Sequence, residues 1–304
     1  MSARRFQYRD GRQPMLRPSA MSCVIAALTA TFSGAGLAQQ TPATQADSAA
    51  PASPVIVLDP VLVRIKRLVD IGPMPGLNLS IDQIPANVQS ASRKDLRDAR
   101  SLNIADYMNG HMQGVSANDY AGNPFQLDVN YRGFTASPEI GTPQGLSVFF
   151  DGVRVNEPFG DIVNWDLLPM NAIERFDLFP GSNPLFGLNT LGGAISLRSK
   201  SGFSAPGFEG QLQAGSFGRR QAQLSGGANG GGWGGFAALT LFDEDGWRDN
   251  SPSRVTQFFA RGDYVGSRGT VGLTLLHADN KLVGNGLIPI ALFEQRAESV
   301  FTSP

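Results

Sequence analysis

Cysteine is almost missing from this sequence of 304 residues, where Cys23 stands alone. Without a second cysteine there is no disulfide framework, so an apolar core or a membrane must hold the fold. Basic excess is missing too: 25 Lys and Arg stand against 26 Asp and Glu, a formal net charge of −1, and nothing points to nucleic acid. The apolar stretch 23–32 (CVIAALTATF) is too short to span a bilayer comfortably as a helix. His111 has no partners at metal-ligand spacing and reads as a surface residue at a helix end. Glycine, in contrast, is abundant at 36 residues while tyrosine numbers 5, a composition that leans toward turns and sheets.

Residues 1–38 read as a signal peptide. Arg4, Arg5, Arg9, Arg12 and Arg17 form a basic lead, 23–32 an apolar core, and Gly36-Leu37-Ala38 a small-residue cleavage site before Gln39. Cleavage there would remove the cysteine and shift the formal net charge to −5. Residues 39–76 read as a flexible linker, because 39–54 is Ala, Pro, Ser, Thr and Gln with one charge and cannot bury enough apolar surface to order itself. Within it, Leu58-Asp59-Pro60-Val61-Leu62-Val63 is a β-prone strip. It is either an ordinary edge strand or a peptide that adds itself to another protein's sheet edge, with Pro60 withholding one donor.

From residue 77 the chain acquires regular pattern. Residues 81–92 look extended, and 93–111 carry Leu96, Ala99, Leu102, Ala105 and Met108 near helical spacing, with a break expected at Ser101. Residues 127–134 (LDVNYRGF) and 146–152 (LSVFFDG) read as short strands ending in turn chemistry. The stretch 173–200 reads as strand, Gly/Pro/Asn turn and second strand. There Gly192 and Gly193 permit a backbone approach that a side chain would block, and Ala194, Ile195 and Leu197 form a buried side against polar Ser196 and Arg198.

Three of these segments, in this order and at this spacing, resemble the motifs of TonB-dependent outer-membrane receptors. They are the RGF of 132–134, the DG-containing strand of 146–152 and the IERF…GGAI pattern of 173–195. The resemblance implies an α+β plug domain over 77–200. It implies that Leu58 to Val63 act as the box pulled by TonB, the inner-membrane energy-coupling protein. It implies that Arg132 and Glu174 hold the plug against the barrel wall, and that a loop with Asn156, Glu157, Phe159, Asp161 and Trp165 faces the ligand. One departure weakens the expected ionic lock, since Pro180-Gly181 stands where the family often has Arg-Gly.

After Lys200 the period becomes two. Phe208, Gly210, Leu212 and Ala214 alternate with Glu209, Gln211 and Gln213, and Ala222, Leu224 and Gly226 with Gln221, Gln223 and Ser225. Phe236, Ala238 and Phe242 share one face of a third segment, Phe258, Ala260 and Tyr264 of a fourth, and Val271, Leu273 and Leu275 of a fifth. Alternation over about ten residues suits antiparallel transmembrane β-strands, so these apolar sets are expected to face lipid. Residues 201–304 then supply about five strands of a plugged barrel of about 22. The expectation is a truncated, N-terminal part of such a barrel.

The composite expectation is an outer-membrane receptor for energised uptake of an external small molecule, such as a metal–siderophore complex, acting as a monomer in the lipid bilayer. A non-transporting exported binding or adhesion protein with a plug-like fold is the alternative. No enzyme, cofactor or resident metal is expected. Glu157 and Asp161 have no acid/base setting, and 181–187 lacks the Lys-Ser/Thr of a phosphate loop.

Overall fold

Helix capping and tight Gly turns set the element boundaries after residue 85. The computed structural model describes residues 68–70, 78–80, 85–182 and 186–300. The signal-peptide reading and the strip 58–63 lie outside the described residues. Strands β1 (Leu68–Asp70) and β2 (Asn78–Ser80) form an antiparallel pair. Strand β3 (Gln89–Ser92) runs directly into helix α1 (Arg93–Ala99). A capping box closes the helix start, with Ser92 and Asp95 each accepting the other's backbone N–H. Arg100 ends α1 in the left-handed region, at φ 52°, and Asn103 caps α2 (Ile104–His111). The expected helical stretch is thus two helices, broken at 100–103 around the predicted Ser101.

The stretch 127–134 is not one strand. Strands β5 (Asp128–Tyr131) and β6 (Phe134–Ala136) form a hairpin with β4 (Val115–Asn118) on the other side of β5. Arg132 and Gly133, at φ 51° and 88°, make the mirror-image turn that matches strand twist. The same device recurs at Asp151-Gly152, φ 49° and 82°, between β7 (Leu146–Phe150) and β8 (Val153–Arg154). Strand β9 (Ile173–Pro180) and strand β10 (Gly193–Ser199) complete a second sheet of order β3-β9-β10-β7-β8, with β10 antiparallel to β9 and parallel to β7.

β10 is covered on both faces over its first half, so the expected polar side is confined to Ser196 and Arg198. Ile195 and Leu197 belong to the main core with Ile104, Met108, Trp165 and Phe176, while Ala194 joins a smaller cluster of Val88, Phe149, Phe179 and Phe186. The glycine pair behaves as read from sequence. A Cβ on Gly193, at φ 148°, would run into the Phe179 carbonyl oxygen, and one on Gly192 into the Phe134 side chain.

The remaining strands form one antiparallel meander of sequential order: β11 (Gly207–Ala214), β12 (Arg220–Gly230), β13 (Trp233–Glu244), β14 (Ser253–Gly266) and β15 (Gly269–Leu282). Two-residue turns, Gly231-Gly232 and Ser267-Arg268, join strands at one end. Longer connections, 215–219, 245–252 and 283–300, gather at the other, the last carrying helix α3 (Ile290–Gln295).

One face assignment needs correction. Phe236, Ala238 and Phe242 are 4%, 3% and 2% exposed and face the N-terminal domain, not outward. The register explains it: Leu239 pairs with Phe258, Ala237 with Ala260 and Trp233 with Tyr264, so the odd-numbered residues of β13 share the outer face of β14. Alternation alone cannot tell two apolar faces apart. The other sets do point outward, with Phe208, Leu212, Val271, Leu273 and Leu275 all more than half exposed.

Candidate functional site

The inward face of the meander meets the N-terminal domain along an apolar seam and several polar contacts. Phe259, fully buried, packs edge-on against Phe150 of β7 at 5.8 Å between ring centroids and lies 6.2 Å from Phe236. Ala205 and Ala238 complete this part of the main core. Near the long-loop end Phe125 packs on Phe242 at 4.9 Å, beside Val255. Burying rings of this size contributes roughly 1.5–3 kcal/mol each, enough to dock the domain firmly.

Polar contacts occupy different heights on the strands. Low on β11, Lys200 Nζ reaches Glu209 at 3.3 Å, Arg97 lies 3.7 Å from the same carboxylate, and Arg93 4.0 Å from Glu174. Burial pulls the Lys200 ammonium below the usual lysine range, with Glu209 opposing the shift. In the middle, Asn171 Nδ2 donates to the carbonyls of Leu239 and Leu224 at 3.0 and 3.4 Å. Nearer the short turns, where Arg261 pairs with Phe236, Asp151 accepts from Ser199 N and Oγ at 2.8 and 2.6 Å, and Arg261 Nη1 donates to Ser199 Oγ at 2.8 Å. Higher, Gln257 and Asn280 donate to the Asp166 carbonyl at 2.6 and 2.9 Å, and Asn123 donates to Ser253 Oγ at 2.8 Å.

The residues expected from sequence fall into three groups. Glu174 sits beside Arg93 of its own domain and accepts from Ser204 Oγ in the segment leading to β11. Arg132 does not reach the sheet. It is exposed in its turn and lies 5.1 Å over the ring of Tyr131, with no side-chain hydrogen bond or ion pair among the described residues. The two-residue turn aims it along its own hairpin.

The expected ligand loop also divides. Trp165 is fully buried in the main core and Asn156 is 7% exposed, so neither faces outward. Asn156 substitutes for a strand neighbour, accepting from Val148 N at 2.7 Å and donating to Leu146 O at 3.0 Å. Asp161 is held by Arg154 at 2.6 Å and by the Asn189 amide. Glu157, which accepts from Asn164, and Phe159, 73% exposed, remain at the surface.

At the long-loop end, sequence reasoning missed a cavity of about 350 Å³ between the domain and the loops, lined by Asp119, Gly122, Trp247, Arg248, Leu287 and Phe293. Arg248 holds its rim, donating to Gly286 O at 2.7 Å and Ser299 O at 3.0 Å. No local sequence signal joins segments so far apart as 119–125 and 245–252. Aromatic walls with a few oriented polar groups are the usual make-up of a ligand pocket. Among the described residues no three His, Cys, Asp or Glu side chains gather to hold a metal ion.

Residues 80–194 match the family model described as TonB-dependent Receptor Plug Domain. Vitamin B12 transporter BtuB of Vibrio vulnificus (strain CMCP6) is 26% identical over 144 residues, which are 47% of this chain and 22% of that protein. The ferric-catecholate import receptor Fiu from E. coli K12, in its open form, is similar in fold with a TM-score of 0.56 at 17% identity, over 72% of this chain and 30% of that one. The unliganded ferric citrate transporter FecA has a TM-score of 0.56 at 17% identity, over 71% of this chain and 34% of that one. The pyoverdine receptor FpvA from Pseudomonas aeruginosa PAO1 has a TM-score of 0.53 at 19% identity, over 66% and 28%. At such identities the likeness to these structures is one of fold. The chain spans about a fifth to a third of the length of these relatives.

Proposed function

From the premise that residues 80–194 are a TonB-dependent receptor plug domain, followed by a five-strand antiparallel sheet, we propose that this chain is the N-terminal part of an energised outer-membrane importer. The observation that carries the reading is the docking itself. A mixed α/β domain fills the inward face of a meander whose outward face is a continuous apolar surface, with Phe208, Leu212, Leu273 and Leu275 exposed. Trp233 and Tyr264, with ring centroids 4.6 Å apart beside the short turns, sit where an aromatic girdle meets the membrane–water boundary. Short turns then face the periplasm and longer connections the outside.

On this reading an external ligand enters the cavity beside Trp247 and Arg248, and a metal chelate is the ligand class. The named substrates of the relatives, ferric chelates and vitamin B12, support that class. TonB binds the strip 58–63 by adding it to a sheet edge and pulls the plug. A signal peptide over 1–38 directs export, and the receptor works as a monomer in the bilayer. Deleting residues 58–63 in the intact receptor should abolish energised uptake of a ferric chelate and leave its binding to cells unchanged. Uptake at the wild-type rate would refute the coupling.

A further inference from the structure

The resemblance implies a plug arginine reaching acidic groups of the wall, yet Arg132 lies on its own hairpin. Besides the Lys200 and Arg97 contacts to Glu209, the structure holds a contact of the opposite polarity, with the base on the sheet and the acid on the domain, built from residues to which the resemblance gave no such role. From the sheet comes Arg261, whose Nε and Nη2 are held by Asp263, two residues along the same inward face, at 2.9 to 3.0 Å. That leaves Nη1 free for the domain, and it donates to Ser199 Oγ at 2.8 Å. From the domain comes Asp151, projected by the tight turn after β7. Its two oxygens take the N–H and the hydroxyl of Ser199, and Oδ2 lies 3.5 Å from Arg261 Nη1.

Ser199 therefore stands between opposite charges, its hydroxyl donating to the carboxylate and accepting from the guanidinium. Hydrogen bonds to ionised partners are about twice as strong as neutral ones. Exposure sets this cluster apart from Arg97–Glu209, whose side chains are 51% and 41% exposed and gain little from pairing. Arg261 and Asp151 are 25% and 21% exposed, and Asp263 is 4%. Breaking such a contact leaves partly buried charge without its partner. It also bridges elements far apart in the chain, and it lies beside the Phe150–Phe259 packing. Arg198, next to Ser199, is pulled below the usual arginine range by burial and then by the charge of Arg261, which places a second guanidinium close by.

We infer that Asp151, Ser199, Arg261 and Asp263 form the latch that seats the plug against the wall, with the acid on the plug and the base on the wall. Water that reaches the cluster can replace each hydrogen bond in turn, so the latch can open without unfolding the apolar core. Its two sides are contributed by a turn and by a strand, which can separate as rigid pieces.

The test is hydrogen–deuterium exchange on the full chain in detergent micelles, comparing wild type with Arg261→Lys, Ser199→Ala, the double variant and Arg132→Ala. Lysine keeps a charge for Asp263 but cannot fork to both partners, and alanine removes only the relay hydroxyl. Each single variant should speed exchange of amides in 146–154 and 193–199 by roughly tenfold, and the double variant should do no more, because coupled residues act as one unit. Arg132→Ala should match wild type. Wild-type exchange in Ser199→Ala, additive effects in the double variant, or the acceleration appearing in Arg132→Ala would each overturn the latch. If Arg261→Lys also opens the amides of 233–244, the sheet itself has loosened and Ser199→Ala alone decides. The latch rests on the docked domain and needs neither ligand nor energy source, so a failed uptake test would leave this result standing.

Discussion

Gly193 carries the tightest backbone constraint in the domain. At φ 148° it opens β10, and a methyl group there would strike the Phe179 carbonyl oxygen of the neighbouring strand. Gly193→Ala should lower the stability of the chain by about 2 kcal/mol or more, read as a fall in the denaturant midpoint. Gly187→Ala is the control: its φ is also positive, at 76°, but no atom of the described residues lies within reach of the added methyl group, so it should lose only about 1 kcal/mol. This constraint was legible in the sequence because a Gly-Gly pair at a strand start has few other purposes. Asp151 and Arg261 were not legible as partners. The Asp-Gly pair read as turn chemistry, and the only sequence signal for Arg261 and Asp263 is two opposite charges two apart on one strand face.

Elements were read well where period and caps agreed. The helical stretch broke near Ser101 because Arg100 takes the left-handed region and Asn103 starts a new cap, and the five β-segments all appear as strands. Face was harder. On β13 both sides are apolar, Ala237, Leu239 and Leu241 outward and Phe236, Ala238 and Phe242 inward, so alternation could not decide which meets lipid. Register decides it, and register predicts mutational effects. Leu239→Arg places a charge on the outward face and should cost about 2–4 kcal/mol near the bilayer midplane. The intact receptor carrying it should be lost from the outer-membrane fraction. Gln223→Arg, on the inward face of β12 beside the carboxylate-bearing β11, should fractionate as wild type.

At the scale of the molecule, the domain and the sheet share one core, and the cavity beside Trp247 exists only because plug segment 119–125 meets the connections 245–252 and 283–300. Trp247 is 46% exposed there, while Trp165 is buried and Trp233 sits at the opposite end of β13. If the proposed import of a ferric chelate holds, titrating the intact receptor with one should quench tryptophan emission, and Trp247→Phe should remove most of the change. Quenching that survives the substitution would move the ligand away from this cavity.

The sequence by itself determined the order of parts: a basic and apolar lead, a polar linker, an α+β domain closed by its Gly-Gly strand, and a run of period-two strands. These follow from local physics, since capping, turn conformation and side-chain period act over a few residues. Only the tertiary structure decided which face of β13 is inside, that Trp165 and Asn156 are buried in the domain, and that Asp151 lies 3.5 Å from Arg261 of the sheet. Those outcomes depend on register and on contacts between residues about a hundred positions apart, and no local pattern specifies either.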